Sequence, residues 1–258
     1  MEGVGSLLVE DESFFRRDEG GWDEYKRLGG GNVKLALSSR HSLWGHLVWN
    51  AGRATARYIE EKPEMVRGKC VVELGAGAGL PSIVSALEGA SLVSVTDYPD
   101  DVLLDALRLN VLENGLSSDT CHVLGHKWGE DTESLVRMTP EKRGYDLVLL
   151  CDVVFNHMCH RALLGSCVGL VRRGQHHGVV VVSFSHHRPS LADKDLGLLR
   201  MAEQEFGFRV ELVETRSMEA MQYGEGCRVK ADDTYEEGSE PSRTVYIYAM
   251  SLPPDAQS

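Results

Sequence analysis

The chain has 258 residues and a formal net charge of −12, from 27 basic and 39 acidic side chains. This length suits one α/β domain with a substantial core. With 42% hydrophobic and 26% charged residues, a disordered chain, a collagen-like repeat and a coiled-coil rod are all excluded. The acidic balance disfavours nucleic acid and anionic membrane as partners and favours a basic one.

Residues 1–41 mix charges, aromatics and glycines without sustained periodicity and read as a partly ordered lead segment. The segment from Ser42 predicts a helix that carries Leu43, Leu47, Ala51, Ala54 and Tyr58 on one stripe, with Ser42 as its cap and Pro63 just past its end. KCVVEL then reads as a strand, the glycines after it as a loop, and LPSIVSALEG as the helix that the loop opens. LVSVTD is a second strand, DDVLLDALRLNVLENG a helix closed by Gly115, and Thr120 to Gly125 a third strand.

YDLVLLCDVVF is the most apolar run and predicts a strand buried on both faces. A helix to Gly174, the strand GVVVVSF, a helix over LADKDLGLLRMAEQEF and the strands FRVELVET and SRTVYIYAMS complete the order. The acidic stretch MEAMQYGEGCRVKADDTYEEGSEPS between the last two strands reads as a mobile or substrate-facing loop. Strand and helix alternate throughout, which predicts an α/β fold: a doubly wound, mostly parallel seven-stranded sheet with helices on both faces. The expected division is a lead over 1–41, one domain over 42–252 and a tail over 253–258.

No segment approaches the ~20 apolar residues of a membrane span, and the start shows no basic region followed by a long apolar stretch. Six cysteines, at 70, 121, 151, 159, 167 and 227, form no C-x-x-C pair. That usage fits reduced thiols in the cytoplasm rather than a disulfide framework or a zinc site. His157, Cys159 and His160 lie close together, but no second ligand pair follows at zinc spacing, so no metal is expected.

The chemistry concentrates at Glu73-Leu74-Gly75-Ala76-Gly77-Ala78-Gly79, a glycine loop leaving a strand and entering a helix. Glycines there let backbone approach a ligand at the carboxyl edge of a parallel sheet. The dinucleotide pattern needs glycine at the sixth place, which is Leu80 counted from Gly75 and Ser82 counted from Gly77, and no lysine completes a phosphate-binding NTPase loop. A nucleotide-like cofactor without pyrophosphate remains. Asp97, ending the second strand, stands where a carboxylate can accept both hydroxyls of a ribose. The competing reading makes the glycines a tight turn and Asp97 a cap for the helix near Asp100.

These motifs resemble the class I S-adenosylmethionine-dependent methyltransferases. The set formed by Trp49, E-L-G-A-G-A-G, Asp97-Tyr98-Pro99, Trp128-Gly129 and Asp152-Val153-Val154-Phe155 resembles the seven-strand protein-lysine methyltransferases, with Gly52 departing from an alanine in the first pattern. With Asn156-His157 and Phe184-Ser185-His186-His187-Arg188-Pro189, the chain is similar to a fungal group that methylates the N-terminal glycine and adjacent lysine of translation elongation factor 1-alpha, earlier described as nicotinamide N-methyltransferase-like.

The resemblance implies S-adenosylmethionine as cofactor, held by Trp49, Glu73, Gly75, Ala76, Gly77, Gly79, Asp97, Trp128 and Cys151. It places Asp152, Phe155, Asn156 and His157 at the substrate amine, and makes the elongation factor the partner of a monomeric cytoplasmic enzyme. Nucleobase amino methyltransferases tend to carry prolines where Val153 and Val154 stand, which favours a protein amine. A nicotinamide-type small-molecule methyltransferase, a non-catalytic binding protein on the same scaffold, and a nicotinamide-dependent oxidoreductase stand as alternatives. His186 and His187 either relay a proton or line the substrate mouth, or else are solvated loop residues.

Overall fold

The most apolar runs of the chain become its central strands. The computed structural model describes residues 21–37, 47–174, 177–219 and 243–253. Two short strands, β1 (Trp22–Lys26) and β2 (Asn32–Ala36), pair as an antiparallel hairpin. The main sheet follows: β3 (Cys70–Leu74), β4 (Leu92–Asp97), β5 (Cys121–Gly125), β6 (Leu147–Cys151), β7 (Val179–Phe184), β8 (Arg209–Ser217) and β9 (Thr244–Ser251). Their spatial order is β5-β4-β3-β6-β7-β9-β8, parallel from β5 to β7, with β9 antiparallel to both its neighbours. The predicted seven-stranded α/β sheet is observed.

Every residue of β3 and β6 is buried, as a sheet covered on both faces demands. Alternation along the strands sorts the core into two layers. Val71, Leu147, Leu149 and Cys151 pack with Ala51, Ala54 and Ile83 of the helices α1 (Asn50–Glu61) and α2 (Leu80–Leu87). Val72, Leu74, Val148 and Leu150 pack on the other face with Leu163, Leu164 and Leu198 of the helices α5 (His160–Leu170) and α7 (Gly197–Phe206). The strand order reverses between β3 and β6, so the crevice at their carboxyl ends is where such a sheet receives a ligand.

Four local features differ from the sequence expectation. The lead holds the β1–β2 hairpin, whose Val33 and Leu35 are fully buried. Its alternation lasts only five residues per strand, and the surface it docks on lies far along the chain, on the helix α3 (Asp101–Glu113). There the Asn110 amide bonds both the N–H and the C=O of Ala36, at 2.6 and 3.0 Å, and Asn114 does the same for Lys34.

The helix predicted from Ser42 begins at Asn50, and Ser42 itself lies outside the described residues. Trp49 is therefore not inside that helix but at its N-cap, in extended backbone, with its ring 4.8 Å from that of His187 in an edge-on contact. The helix predicted to Gly174 ends at Leu170, because Val171 turns extended to bridge Tyr145. The helix over 191–206 is split into α6 (Ala192–Asp195) and α7, and at the break Asp195 turns inward to bond His157 and His186.

The acidic stretch predicted as a loop lies outside the described residues from 220 to 242. Its base is closed by Met218 N–H on the Arg243 carbonyl, and the Glu219 carbonyl accepts from Asn50. Among the described residues no helix is long and apolar enough to cross a membrane. The short helix Glu133–Val136, α4, packs on α5 and does not approach the switch-point crevice.

Candidate active site

Leaving β3, the chain turns into α2 through Gly75, Gly77 and Gly79, all at positive φ between +55° and +77°. The loop is pinned to β4 by Gly75 and Ala76 N–H groups that both donate to the Thr96 carbonyl at 3.0 Å, while Thr96 Oγ1 donates to the Glu73 carbonyl. Gly75 meets the tightest demand. A Cβ there would stand 2.9 Å from Trp128 Cζ2 and from Val153 Cγ1, on top of a backbone angle that side chains avoid. At Gly77 nothing lies within 4 Å of such a Cβ, so the absent side chain leaves open space rather than a packing contact.

Asp97 ends β4 beside this loop. Its Oδ2 accepts the Gly77 N–H at 2.8 Å and its Oδ1 the Tyr98 N–H at 2.7 Å. These two bonds fix the plane of the carboxylate and tie it to the glycine loop. It does not cap the following helix: Asp100 does, accepting Val102 N–H at 2.9 Å and Leu103 N–H at 3.3 Å. The capping alternative is thereby removed.

Glu73 and Cys151 point to the same face of adjacent strands, into the layer under α2. Glu73 is 1% exposed. Its Oε2 accepts the Ser82 N–H at 3.1 Å and the Ser82 hydroxyl at 2.5 Å. Ser82 is in the first turn of α2, where N–H groups lack intrahelical acceptors and the helix dipole favours negative charge. Its Oε1 is buried without a nitrogen or oxygen partner. Burial pushes the carboxyl up to about 7, against the lowering effect of Ser82 and the weaker one of the Cys151 thiol. Burial, with the Glu73 charge beside it, holds Cys151 well above the ordinary thiol range, so it is a neutral wall residue rather than a nucleophile.

A raised acid makes the folded state the better proton binder, so this group lowers stability as pH climbs from its ordinary value near 4.5 through about 7, and adds no further slope above. Glu73→Gln is expected to flatten the fall of Tm across that window. Equal slopes in wild type and variant would show that Glu73 does not titrate there.

The strand β6 ends at Asp152, which takes φ +57°, a left-handed conformation rare for a residue with a side chain. It is buried. Its N–H donates to the Ser183 carbonyl at 2.8 Å, its Oδ1 lies 2.7 Å from His187 Nε2, and its Oδ2 is buried without a partner. Phe155 is half-buried and Asn156 exposed beyond it.

One cavity of about 710 Å³ joins these parts. Trp49, Glu73, Gly75, Ala76, Gly77, Gly79, Asp97, Trp128, Cys151, Asp152, Phe155 and Asn156 all line it. His157 does not: its Nε2 lies 2.7 Å from Asp195 Oδ1. His126, Lys127, Cys159 and Tyr98 also line the wall, and no motif in the sequence assigns them there. His126 Nε2 sits 2.9 Å from Ser166 Oγ, and burial lowers its proton affinity. A histidine two residues before Trp128, just past the carboxyl end of β5, was the one available signal. Among the described residues no group of three or more His, Cys, Asp or Glu side chains could hold a metal ion.

The switch-point crevice, glycine loop and strand-end carboxylate define a class I methyltransferase. Solved structures agree on the fold. A proposed RNA methyltransferase from Pyrococcus horikoshii superposes with a TM-score of 0.57 at 18% identity, over 86% of this chain and 93% of that one. A proposed methyltransferase complexed with SAH gives 0.53 at 14% identity, over 90% and 56%.

Residues 33–203 match the lysine methyltransferase family model, and the chain belongs to that family, with S-adenosylmethionine as its cofactor. A protein N-terminal and lysine N-methyltransferase of Schizosaccharomyces pombe is 39% identical over 226 residues, 86% of this chain and 83% of the relative. Its counterpart in Yarrowia lipolytica is 39% identical over 235 residues, 80% and 85%. That of Aspergillus fumigatus is 37% identical over 223 residues, 84% and 85%.

Proposed function

We propose that this protein methylates the N-terminal α-amino group and the adjacent lysine of translation elongation factor 1-alpha, as a monomer in the cytoplasm. The names of its relatives support an N-terminal and lysine amine as acceptor, and the resemblance of its motifs supports the elongation factor. A net charge of −12 suits a basic segment as substrate. The domain over 42–252 carries the activity, with the β1–β2 hairpin packed onto it.

The observation that carries the reading is the single cavity reaching from Asp97 and the glycine loop to the Asp152–Phe155 corner. Asp97 accepts the ribose hydroxyls and Gly77 leaves room for backbone approach. Trp49 and Trp128, both in the cavity wall, would hold the adenosyl group. Glu73, whose Oε1 has no nitrogen or oxygen partner, would stand toward the cationic amino acid end. When bound, the cofactor supplies a methyl group already activated on a sulfonium, so no leaving group needs a proton. What the protein adds is alignment.

An ammonium has no lone pair, so the amine must arrive as its neutral form or shed a proton on arrival. Asp152 Oδ2 accepts a hydrogen bond from it and aims its lone pair into the cavity, with Phe155 and Asn156 at the opening. His157, through Asp195, braces this corner from outside.

The test is mass spectrometry of the elongation factor's N-terminal peptide after incubation with the protein and S-adenosylmethionine, run beside nicotinamide as substrate. Added methyl groups on the first amine and the adjacent lysine are expected. Methylnicotinamide with an unmodified peptide would assign the protein to small-molecule chemistry, and an unmodified peptide with no cofactor binding would make it a binding scaffold.

A further inference from the structure

Asp152 combines three unusual properties: left-handed backbone, a carboxylate nearly removed from solvent, and one oxygen with no partner. Such a corner persists only where its surroundings over-determine it. The side chain that holds it comes from a different strand end. His187, three residues past β7, is 8% exposed and brings Nε2 to 2.7 Å from Asp152 Oδ1. In this pair the imidazole N–H at Nε2 is the donor and the carboxylate oxygen the acceptor. The Ser183 carbonyl, also from β7, receives the Asp152 N–H. Backbone and side chain of Asp152 are thus both fastened to one neighbouring strand and the turn that follows it. The His187 ring in turn stands edge-on to Trp49, so the same imidazole touches the wall proposed for the cofactor and the carboxylate proposed for the amine.

We propose that His187 is a positioning residue for methyl transfer: by clamping Asp152 Oδ1 it leaves Oδ2 as the oxygen that receives the substrate amine, and it sets that oxygen relative to Trp49. The inference rests on the reading of Asp152 as the amine's acceptor. It assigns to His187 no proton transfer and no contact with the reacting atoms. His186, its neighbour, turns the other way and bonds Asp195 Oδ2 at 2.8 Å, which separates the two histidines of the pair by role.

The electrostatics agree with a loaded clamp. Burial lowers the proton affinity of His187, but the charge of Asp152, its hydrogen bond and the charge of Asp195 outweigh this, with Arg188 acting against them, and the net direction is upward.

Two polar replacements separate the roles. The amide of His187→Gln extends to about where Nε2 stands, whereas that of His187→Asn falls short. Expected is a kcat within about threefold of wild type for His187→Gln. For His187→Asn a loss of about ten- to a hundredfold is expected, the scale of a misplaced reacting group, with S-adenosylmethionine affinity within about threefold and a lowered Tm, because the buried Asp152 carboxylate loses its side-chain donor. In a double-mutant cycle, His187→Asn should add little to Asp152→Ala.

Equal kcat in the two His187 variants, or effects that simply multiply, would overturn the clamp. An Asp152→Ala protein that still methylates would instead remove the reading it rests on. A readout free of turnover uses the intact chain. By proton NMR the His187 ring should titrate at higher pH in wild type than in Asp152→Asn, and coincident curves would overturn the pairing even if the His187→Asn variant did not fold.

Discussion

Asp97→Ala is expected to weaken S-adenosylmethionine binding by about a hundredfold or more while the chain stays folded. The size follows from what the carboxylate does. Hydrogen bonds to an ionised acceptor contribute about 1.5–3 kcal/mol each. Losing two of them to a ribose therefore exceeds the ~2.7 kcal/mol that corresponds to a factor of 100. Asp97 is half-buried at a strand end, where it holds two backbone N–H groups of the loop beside it, so the fold should survive with a modest loss. The released Gly77 N–H reaches solvent in the open cavity, which limits that loss further. Titration calorimetry and a thermal melt on the same sample decide it: near-normal affinity would remove Asp97 from the cofactor site, and collapse of the melt would make its role structural.

The parts of the site that were legible in the sequence are those built within one strand-loop-helix unit. E-L-G-A-G-A-G, Asp97 and the Asp152–Phe155 corner each lie at a strand's carboxyl end, and a parallel sheet brings all such ends to one edge. The motifs therefore converge in space although they are far apart in the chain. Residues whose position depends on another element were not legible. His157 follows Asn156 directly, but the 3-10 turn over His157–Cys159 rotates it toward Asp195 and out of the cavity wall. Trp49 was read inside a helix that starts one residue after it. The hairpin needed Asn110 and Asn114, which in sequence look like ordinary polar positions on the surface of a helix.

The same distinction explains the pairing of Asp152 with His187. Both residues follow a strand end, but their bond spans 35 positions, and nothing in local periodicity specifies which of two adjacent histidines turns inward. Register decides it. The pairing of β6 with β7 sets Cys151 opposite Ser183, which brings the residues just beyond each strand within reach of one another. The buried carboxylate is then accompanied by a donor, as a charge removed from water requires.

Asp152→Ala is expected to lower kcat by about a hundredfold or more with S-adenosylmethionine affinity within about threefold, the complement of the Asp97 result. The carboxylate lies in the cavity wall beside Phe155 and Asn156, at the end of β6, with β3 between it and the end of β4 that carries Asp97, so its loss should leave the adenosyl contacts intact and remove alignment of the amine.

Two causes could produce such a loss. One is removal of the carboxylate, and the other is relaxation of a backbone held at φ +57°, since alanine tolerates that region less well than aspartate. Asp152→Asn separates them, because asparagine accepts the left-handed conformation about as readily and keeps the side chain's shape. If the carboxylate matters, Asp152→Asn is nearly as impaired as Asp152→Ala. If the loss comes from the backbone, Asp152→Asn recovers most of the rate. Single-turnover methylation of the substrate peptide with saturating cofactor measures the step directly, and wild-type rates in both variants would place the amine elsewhere in the cavity.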